Sequence, residues 1–406
     1  MHFNINMYID TMYFSSIMHS MLDRVIEKHV HTYLQGEDHK IFFIWGPRRS
    51  GKTTLLEELA PELKVPIFNF DLSSDRELFQ PTKEALSKIA AEHAVILIDE
   101  VQSYPESTVA LKLLHDIYKV KVIATGSSEL RQKSKDFDTL AGRYSEHYCL
   151  PLSLSEISDN AATPAYDKAS FEASLQTRLQ IYGAYPEIYA PKKLSDAERV
   201  DLLQNILDTY VLKDVINIYD LKNEKLAKDI LTKIALQVGS EVAVREIARS
   251  LGANESTVAS YIEIFIKNYI LIPLPAFKTN ARRAVSENRK LYFYDLGIRN
   301  MLVKDFRELD LRPDKGGVFE NFIVSELEKR RRNTKAQATM YFYREYSGQE
   351  VDIVLEDYQK NYTCLEAKTN PKQRSKDIFP LPHSFEVINP ANYFEVIAGT
   401  FADKAG

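Results

Sequence analysis

The chain has 406 residues, more than one hydrophobic core organises, so two or three domains are expected. Its 45% hydrophobic and 27% charged residues are those of a globular protein, and a net charge of −5 excludes a chain that attracts polyanions over its whole surface. Nucleic-acid contact would need a local basic face.

Residues 1–20 hold four methionines (Met1, Met7, Met12 and Met18) without the basic start or continuous apolar stretch of a signal peptide. They read as an N-terminal extension, with Met18 or Met21 the expected start of the folded protein. Residues 22–33 carry apolar side chains at helical spacing. Ile41 to Trp45 is a continuous apolar run, the mark of a strand buried on both faces. A glycine-containing turn and a helix over 52–59 follow. Strands over 65–71, 94–98 and 121–125 alternate with helices over 83–92 and 111–118. That alternation predicts a parallel sheet flanked by helices, an α/β fold. Residues 159–168 form a polar loop that closes this nucleotide domain, and 171–223 is mostly helical. A compact helical domain with a helix-turn-helix is expected over 225–275, and mixed structure over 316–401 with strands at 339–344, 350–355 and 362–367. The expected units are 1–20, 21–158, 165–224, 225–300 and 301–406. Cys149 and Cys364 form no CxxC pair, which argues against a thiolate zinc site and fits reduced thiols in a cytoplasm. No apolar run is long enough to span a bilayer, so no membrane partner is expected.

Gly46-Pro47-Arg48-Arg49-Ser50-Gly51-Lys52-Thr53 fits GxxxxGK[ST], placed between a buried strand and a helix. Such a loop turns backbone N–H groups toward phosphate oxygens at the positive end of a helix. Thr54 extends it. Lys52 is expected on the β- and γ-phosphates of ATP, and Thr53 on Mg²⁺. Asp99, at the end of the 94–98 strand, would hold Mg²⁺ through water, and Glu100 would polarise the attacking water. Thr125 or Ser127, at the end of the next strand, would sense the γ-phosphate or orient that water. A glycine loop alone could be a chance match or a degraded site; strand, lysine, hydroxyl and Asp-Glu together argue otherwise. Charge on the transferred phosphoryl group usually needs an arginine. Arg143 is the candidate, acting in trans if the chain assembles with itself; the alternative is a surface arginine paired with Glu146.

Residues 244–251 and 255–267 read as two helices joined at Gly252, with Asn254 capping the second and Val258, Ile262 and Phe265 facing the core. Strands over 269–274 and 290–294 would complete a winged helix. The second helix carries Glu255 and Glu263, so DNA would be gripped by wing residues Lys278, Arg282, Arg283, Arg289 and Lys290. A winged helix used for protein packing stays open, slightly ahead.

Glu320 lies near the start of a helix over 318–330. Asp352 sits in a strand, and Glu366 and Lys368 share one face of the next. If these strands pair, the four converge. Close carboxylates favour a divalent metal such as Mg²⁺ or Mn²⁺, and a neighbouring lysine could activate water against a phosphodiester. Charges alternating outward from a half-buried hairpin fit the same spacing.

The sequence as a whole resembles the prokaryotic AAA-type ATPases that carry a C-terminal domain of unknown function related to PD-(D/E)XK nucleases. The resemblance spans about residue 22 to about residue 389. It rests on GPRRSGKTTL (46–55), LIDEVQ (97–102), ATGSS (124–128), LAGR (140–143), PLSLSE (151–156), GAYPE (183–187), LKDV (212–215), KLYFYDLGIRN (290–300), FEN (319–321), EVDIV (350–354) and LEAK (365–368). It implies an AAA-like sheet, a winged helix and a nuclease-fold tail whose motif falls on Glu320, Asp352, Glu366 and Lys368. Ala184 departs from the family's usual GGxPE. The expectation is an ATPase coupled to a nucleic-acid activity, with a nuclease-like tail. The rival is a nucleotide switch for a protein partner, with an inactive tail. A transcription regulator is a third, weaker reading that the acidic second helix speaks against.

Overall fold

The computed structural model describes residues 22–126, 137–161, 167–191, 194–214, 223–278, 289–345, 347–373 and 375–401. The N-terminal extension, Ser127, Arg282 and Arg283 lie outside the described residues.

Helix α1 (Val25–Gln35) turns Ile26, Val30 and Tyr33 inward. It precedes β1 (Ile41–Trp45), α2 (Lys52–Leu63), β2 (Ile67–Asn69), α3 (Ser73–Leu78), α4 (Lys83–Glu92), β3 (Val95–Asp99), α5 (Ser107–Leu113), β4 (Lys121–Gly126) and β5 (Tyr144–Tyr148). The five strands form one parallel sheet in the order β2-β3-β4-β1-β5. Every residue of β1 is buried because helices cover both faces. Strand β4 separates β1 from β3. The turn after β1, the end of β3 and the end of β4 therefore open on one edge of the sheet, where open parallel sheets take their ligands.

Helices α6 (Leu154–Asn160), α7 (Lys168–Tyr182), α8 (Pro186–Tyr189) and α9 (Asp196–Ile206) follow, the last continuing into a π-helical stretch over Leu207–Asp214. Then come α10 (Glu224–Leu236), β6 (Glu241–Val242), α11 (Val244–Leu251), α12 (Glu255–Lys267), β7 (Leu271–Pro275) and β8 (Arg289–Phe293). The three strands form an antiparallel sheet, β6-β8-β7. Gly252, at φ 63°, makes the turn between α11 and α12, a left-handed conformation that glycine adopts without strain. Val258, Ile262 and Phe265 are fully buried, as their spacing predicts. Asn254 occupies the position before α12, but its side chain makes no capping hydrogen bond.

Helix α13 (Leu296–Val303) starts on the Asp295 side chain, which accepts from Ile298 N at 3.2 Å. The expected boundary after residue 300 falls inside this helix. There the Asn300 side chain donates to the carbonyls of Gln180 and Ile181, so the segment belongs to the helical layer. Helix α14 (Lys315–Asn333), strands β9 (Ala338–Arg344), β10 (Glu350–Asp357), β11 (Tyr362–Ala367) and β12 (His383–Ile388), and helix α15 (Tyr393–Gly399) complete the chain. The sheet order is β12-β11-β10-β9, with only the β11/β12 pair parallel.

Helix α14 is a shared wall. Its Glu326 accepts from Leu154 N at 2.8 Å, and Lys329 donates to Leu152 O at 3.0 Å. Asn321 exchanges two 2.8 Å hydrogen bonds with the backbone of Phe293 in β8. One apolar core accordingly takes Leu152 and Leu175, Ile272 and Tyr292, and Phe319, Ile353 and Tyr393 from different parts of the chain.

Candidate functional site

The turn after β1 is built by close approach. A Cβ on Gly46 would lie 2.0 Å from the Cys149 carbonyl oxygen, so this position takes glycine alone. Gly51 (φ 99°) and Arg49 (φ 62°) hold left-handed conformations, which bend the loop over the start of α2. The Ser50 hydroxyl donates to Pro47 O at 2.8 Å. Lys52 is 5% exposed, and its ammonium donates to Gly46 O at 3.0 Å and Pro47 O at 2.8 Å. Burial lowers the Lys52 pKa, against the opposing pull of Glu100, Cys149 and Asp99.

Asp99 ends β3, 2% exposed. One of its oxygens accepts from Thr53 Oγ1 at 2.8 Å, and the other accepts the Thr125 hydroxyl. Thr125 thus fixes the carboxylate, and its hydroxyl is committed to Asp99. Glu100 follows at φ 52°, an unusual conformation for a non-glycine residue. Its carboxylate accepts the Gln102 amide. A cavity of 480 Å³ is lined by Arg48, Arg49, Gly51, Lys52, Thr53, Thr54, Asp71 and Glu100, and is bordered by Pro186 and Glu187 of α8. Arg49 reaches across it to Glu187 at 2.8 Å and to Asn205 at 3.3 Å, joining the glycine loop to the helical layer. A hydroxyl and a carboxylate held together beside a lysine suit a hard cation and a phosphate, so the donor set fits Mg²⁺ with a nucleotide.

Arg24 supports the loop from beneath and was not evident in the sequence. It is 8% exposed and donates to Ser50 O at 2.7 Å, Leu150 O at 2.6 Å and Glu156 Oε1 at 2.9 Å. Burial alone would lower its pKa, but Cys149, Glu156 and Glu27 hold it above the ordinary arginine value. Nothing in the run 22–33 separates this arginine from its exposed neighbours; only the α6 capping box, Ser153 with Glu156, hinted at its partner.

Arg143 is not at this site. Ile41 N donates to Arg143 O, so the arginine stands where β1 and β5 begin, at the opposite end of the sheet from the glycine loop. It pairs with Asp116 at 2.7 Å, not with Glu146, which accepts from the Trp45 indole at 2.8 Å.

In the C-terminal sheet the expected residues do converge. Ala367 N donates to Asp352 Oδ2 at 2.9 Å, and Lys368 donates to Glu366 at 2.6 Å, 3.8 Å from Asp352. Glu320 arrives from α14. Glu350, which the sequence reading passed over, joins Glu320 and Asp352, one oxygen of each lying within 4.8 Å of the others. Burial, and then Glu320 and Glu366, push the Asp352 carboxyl up to about 8, against Lys290 and Lys368. Lys290 corrects its expected place in an open basic wing. It is 1% exposed and bonds Glu320 at 2.8 Å and also Glu350. Arg289, its neighbour, pairs with Glu263 at 2.7 Å. An ammonium therefore already stands among the carboxylates, and the arrangement does not fit a divalent metal.

Residues 38–158 match a sequence family described as an AAA domain. Residues 174–311 and 315–400 match two families described only as domains of unknown function. An uncharacterized protein of Methanocaldococcus jannaschii is 25% identical over 359 residues, 83% of this chain and 77% of that one. One of Haemophilus influenzae is 23% identical over 275 residues, 63% and 67%. Among solved structures, a Walker-type ATPase of Pyrococcus abyssi aligns over 70% of this chain and 96% of its own, at 15% identity and a TM-score of 0.44. The Aeropyrum pernix ORC1 protein in complex with DNA aligns over 67% and 88%, at 14% identity and a TM-score of 0.28. The chain thus carries an AAA-type domain over residues 38–158. No helix among the described residues is long and apolar enough to cross a membrane.

Proposed function

We propose that this chain binds ATP with Mg²⁺ in the cavity at the end of β1 and hydrolyses it. The observation that carries the reading is the Asp99 carboxylate, fixed by Thr53 and Thr125 beside the buried Lys52. The loop amides of residues 46–53 cradle the phosphates, and Lys52 leaves its two carbonyl partners for the β- and γ-oxygens. Thr53 and Asp99 would hold Mg²⁺, which would supply charge neutralisation at the transferred group. Glu100, released by Gln102, orients and deprotonates the attacking water. Arg143 enters the chemistry only from a second copy, because its own loop lies at the far end of the sheet. Nucleotide binding and turnover in Lys52→Ala test the reading; unchanged affinity and unchanged hydrolysis would refute it.

Arg49 couples the site to the rest of the chain. A phosphate that draws Arg49 away frees Glu187 and Asn205, and so the helical layer that carries α11 and α12. The sequence reading left two recipients for this motion, nucleic acid and a protein partner. Two of the wing cations turn to protein contacts, Arg289 to Glu263 and Lys290 into the interior, which supports a protein partner on a winged helix. A duplex-binding titration at two salt concentrations decides: tight, salt-sensitive binding restores the nucleic-acid reading.

A further inference from the structure

Strand β8 sends two side chains from one face into the C-terminal domain. Lys290 and Tyr292 are two residues apart, so both point the same way. Lys290 donates to Glu320 and Glu350, and the Tyr292 hydroxyl donates to the same Glu320 oxygen. Arg344 closes the outer side, with Nε 2.9 Å from Glu350 and Nη1 2.7 Å from Glu241. Lys368 neutralises the inner side through Glu366. The four carboxylates Glu320, Glu350, Asp352 and Glu366 thus face three fixed cations, Lys290, Arg344 and Lys368.

We propose that Lys290 is the resident cation of this cluster, a tethered ammonium in the place of a divalent metal, and that it closes the C-terminal site to metal ions. Three features keep it there. Its backbone lies in the middle strand of its sheet, opposite Glu241 on one side and Leu274 on the other, so the residue does not withdraw without unzipping β8. Its ammonium sits 5.4 Å from the centre of the Phe342 ring, a face that attracts cations. At 1% exposure it is buried, so an ion that displaced it from its carboxylates would leave a buried charge without partners. The lysine also defines what the tail does. It joins the β6-β8-β7 sheet to α14 and β10 through charge, and makes the tail a mechanical extension of the helix-turn-helix unit. The inference stands on the C-terminal domain and is independent of ATP binding at the glycine loop.

Mn²⁺ uptake by the full chain without nucleotide, followed by electron paramagnetic resonance, tests it. Asp352→Asn serves as the marker for this site and separates it from Thr53 and Asp99. Wild type and Asp352→Asn are expected to take up Mn²⁺ equally. Lys290→Met, which removes the ammonium and keeps the chain length, is expected to gain a site at least tenfold tighter than any in wild type. Adding Asp352→Asn to Lys290→Met should abolish that site. Wild-type uptake that Asp352→Asn removes overturns the proposal. So does a folded Lys290→Met protein that binds no more Mn²⁺ than wild type. If Lys290→Met does not fold, the comparison of wild type with Asp352→Asn decides alone: equal uptake supports the tethered cation, and a difference refutes it.

Discussion

Replacing Arg24 with methionine should destabilise the nucleotide domain and loosen the phosphate loop together. Methionine fills the space of the alkyl stem but removes the donors that hold Ser50 O, Leu150 O and Glu156. Glu156 is 4% exposed and would keep a buried charge with its strongest partner gone. Breaking one side of a buried ion pair costs ~3–5 kcal/mol, mostly the penalty of the orphaned charge. Adding Glu156→Gln should therefore recover part of the loss, so that the double variant is more stable than Arg24→Met alone. Trp45 is the chain's one tryptophan and lies buried in β1, beside the loop, so its fluorescence during urea unfolding reports on this domain. Nucleotide affinity should fall in the same variant, because the Ser50 carbonyl loses its guanidinium donor and keeps only the weak Cys149 thiol at 3.3 Å. Unfolding within about 1 kcal/mol of wild type would refute the argument, since an exposed pair is worth no more than that.

Glu100→Gln should keep ATP binding while hydrolysis drops by roughly 10²–10⁴, the contribution of a positioned base, as read by single-turnover phosphate release. Gly46→Ala should abolish soluble expression or nucleotide binding, because its Cβ would overlap the Cys149 carbonyl; normal binding would contradict the loop geometry. The raised Asp352 carboxyl predicts a pH dependence of defined sign. Its folded pKa lies above the ordinary carboxylate value, so its contribution to stability is complete in acid and is lost as pH rises toward about 8. The melting temperature between pH 5 and 8 should fall less steeply in Asp352→Asn than in wild type.

The nucleotide sheet was legible because β1, β3 and β4 are continuous apolar runs, a pattern that burial on both faces imposes. Strand β5, Tyr144-Ser145-Glu146-His147-Tyr148, was missed because it lies at the edge and alternates polar side chains. Strand β12 was hidden in the same way. Helix α2 runs to Leu63, past its expected end at 59, with Pro61 inside it at the cost of one hydrogen bond of the ladder. The helix expected over 111–118 divides into α5, which begins at Ser107, and a π-helical turn over Leu114–Tyr118. The glycine loop and the Asp-Glu pair were readable because their chemistry is fixed by spacing. Arg24, Glu187 and Lys290 were not, because each acts on a partner more than 29 positions away in sequence. For Arg143 a short phrase suggested a role, and only strand register shows that it stands at the far end of its own sheet, so that a part in the chemistry would have to come from a second copy.

Helix α14 touches the nucleotide domain through Glu326 and Lys329, the three-stranded sheet through Asn321 and Glu320, and its own sheet through its apolar face. A cut at the start of that helix would strip the first 314 residues of a polar and apolar cover and leave the remainder with charged groups built to face a missing neighbour. The seams visible in the sequence are therefore bridged by side-chain contacts from one helix. A displacement at the phosphate end would meet this helix before it met the C-terminal sheet.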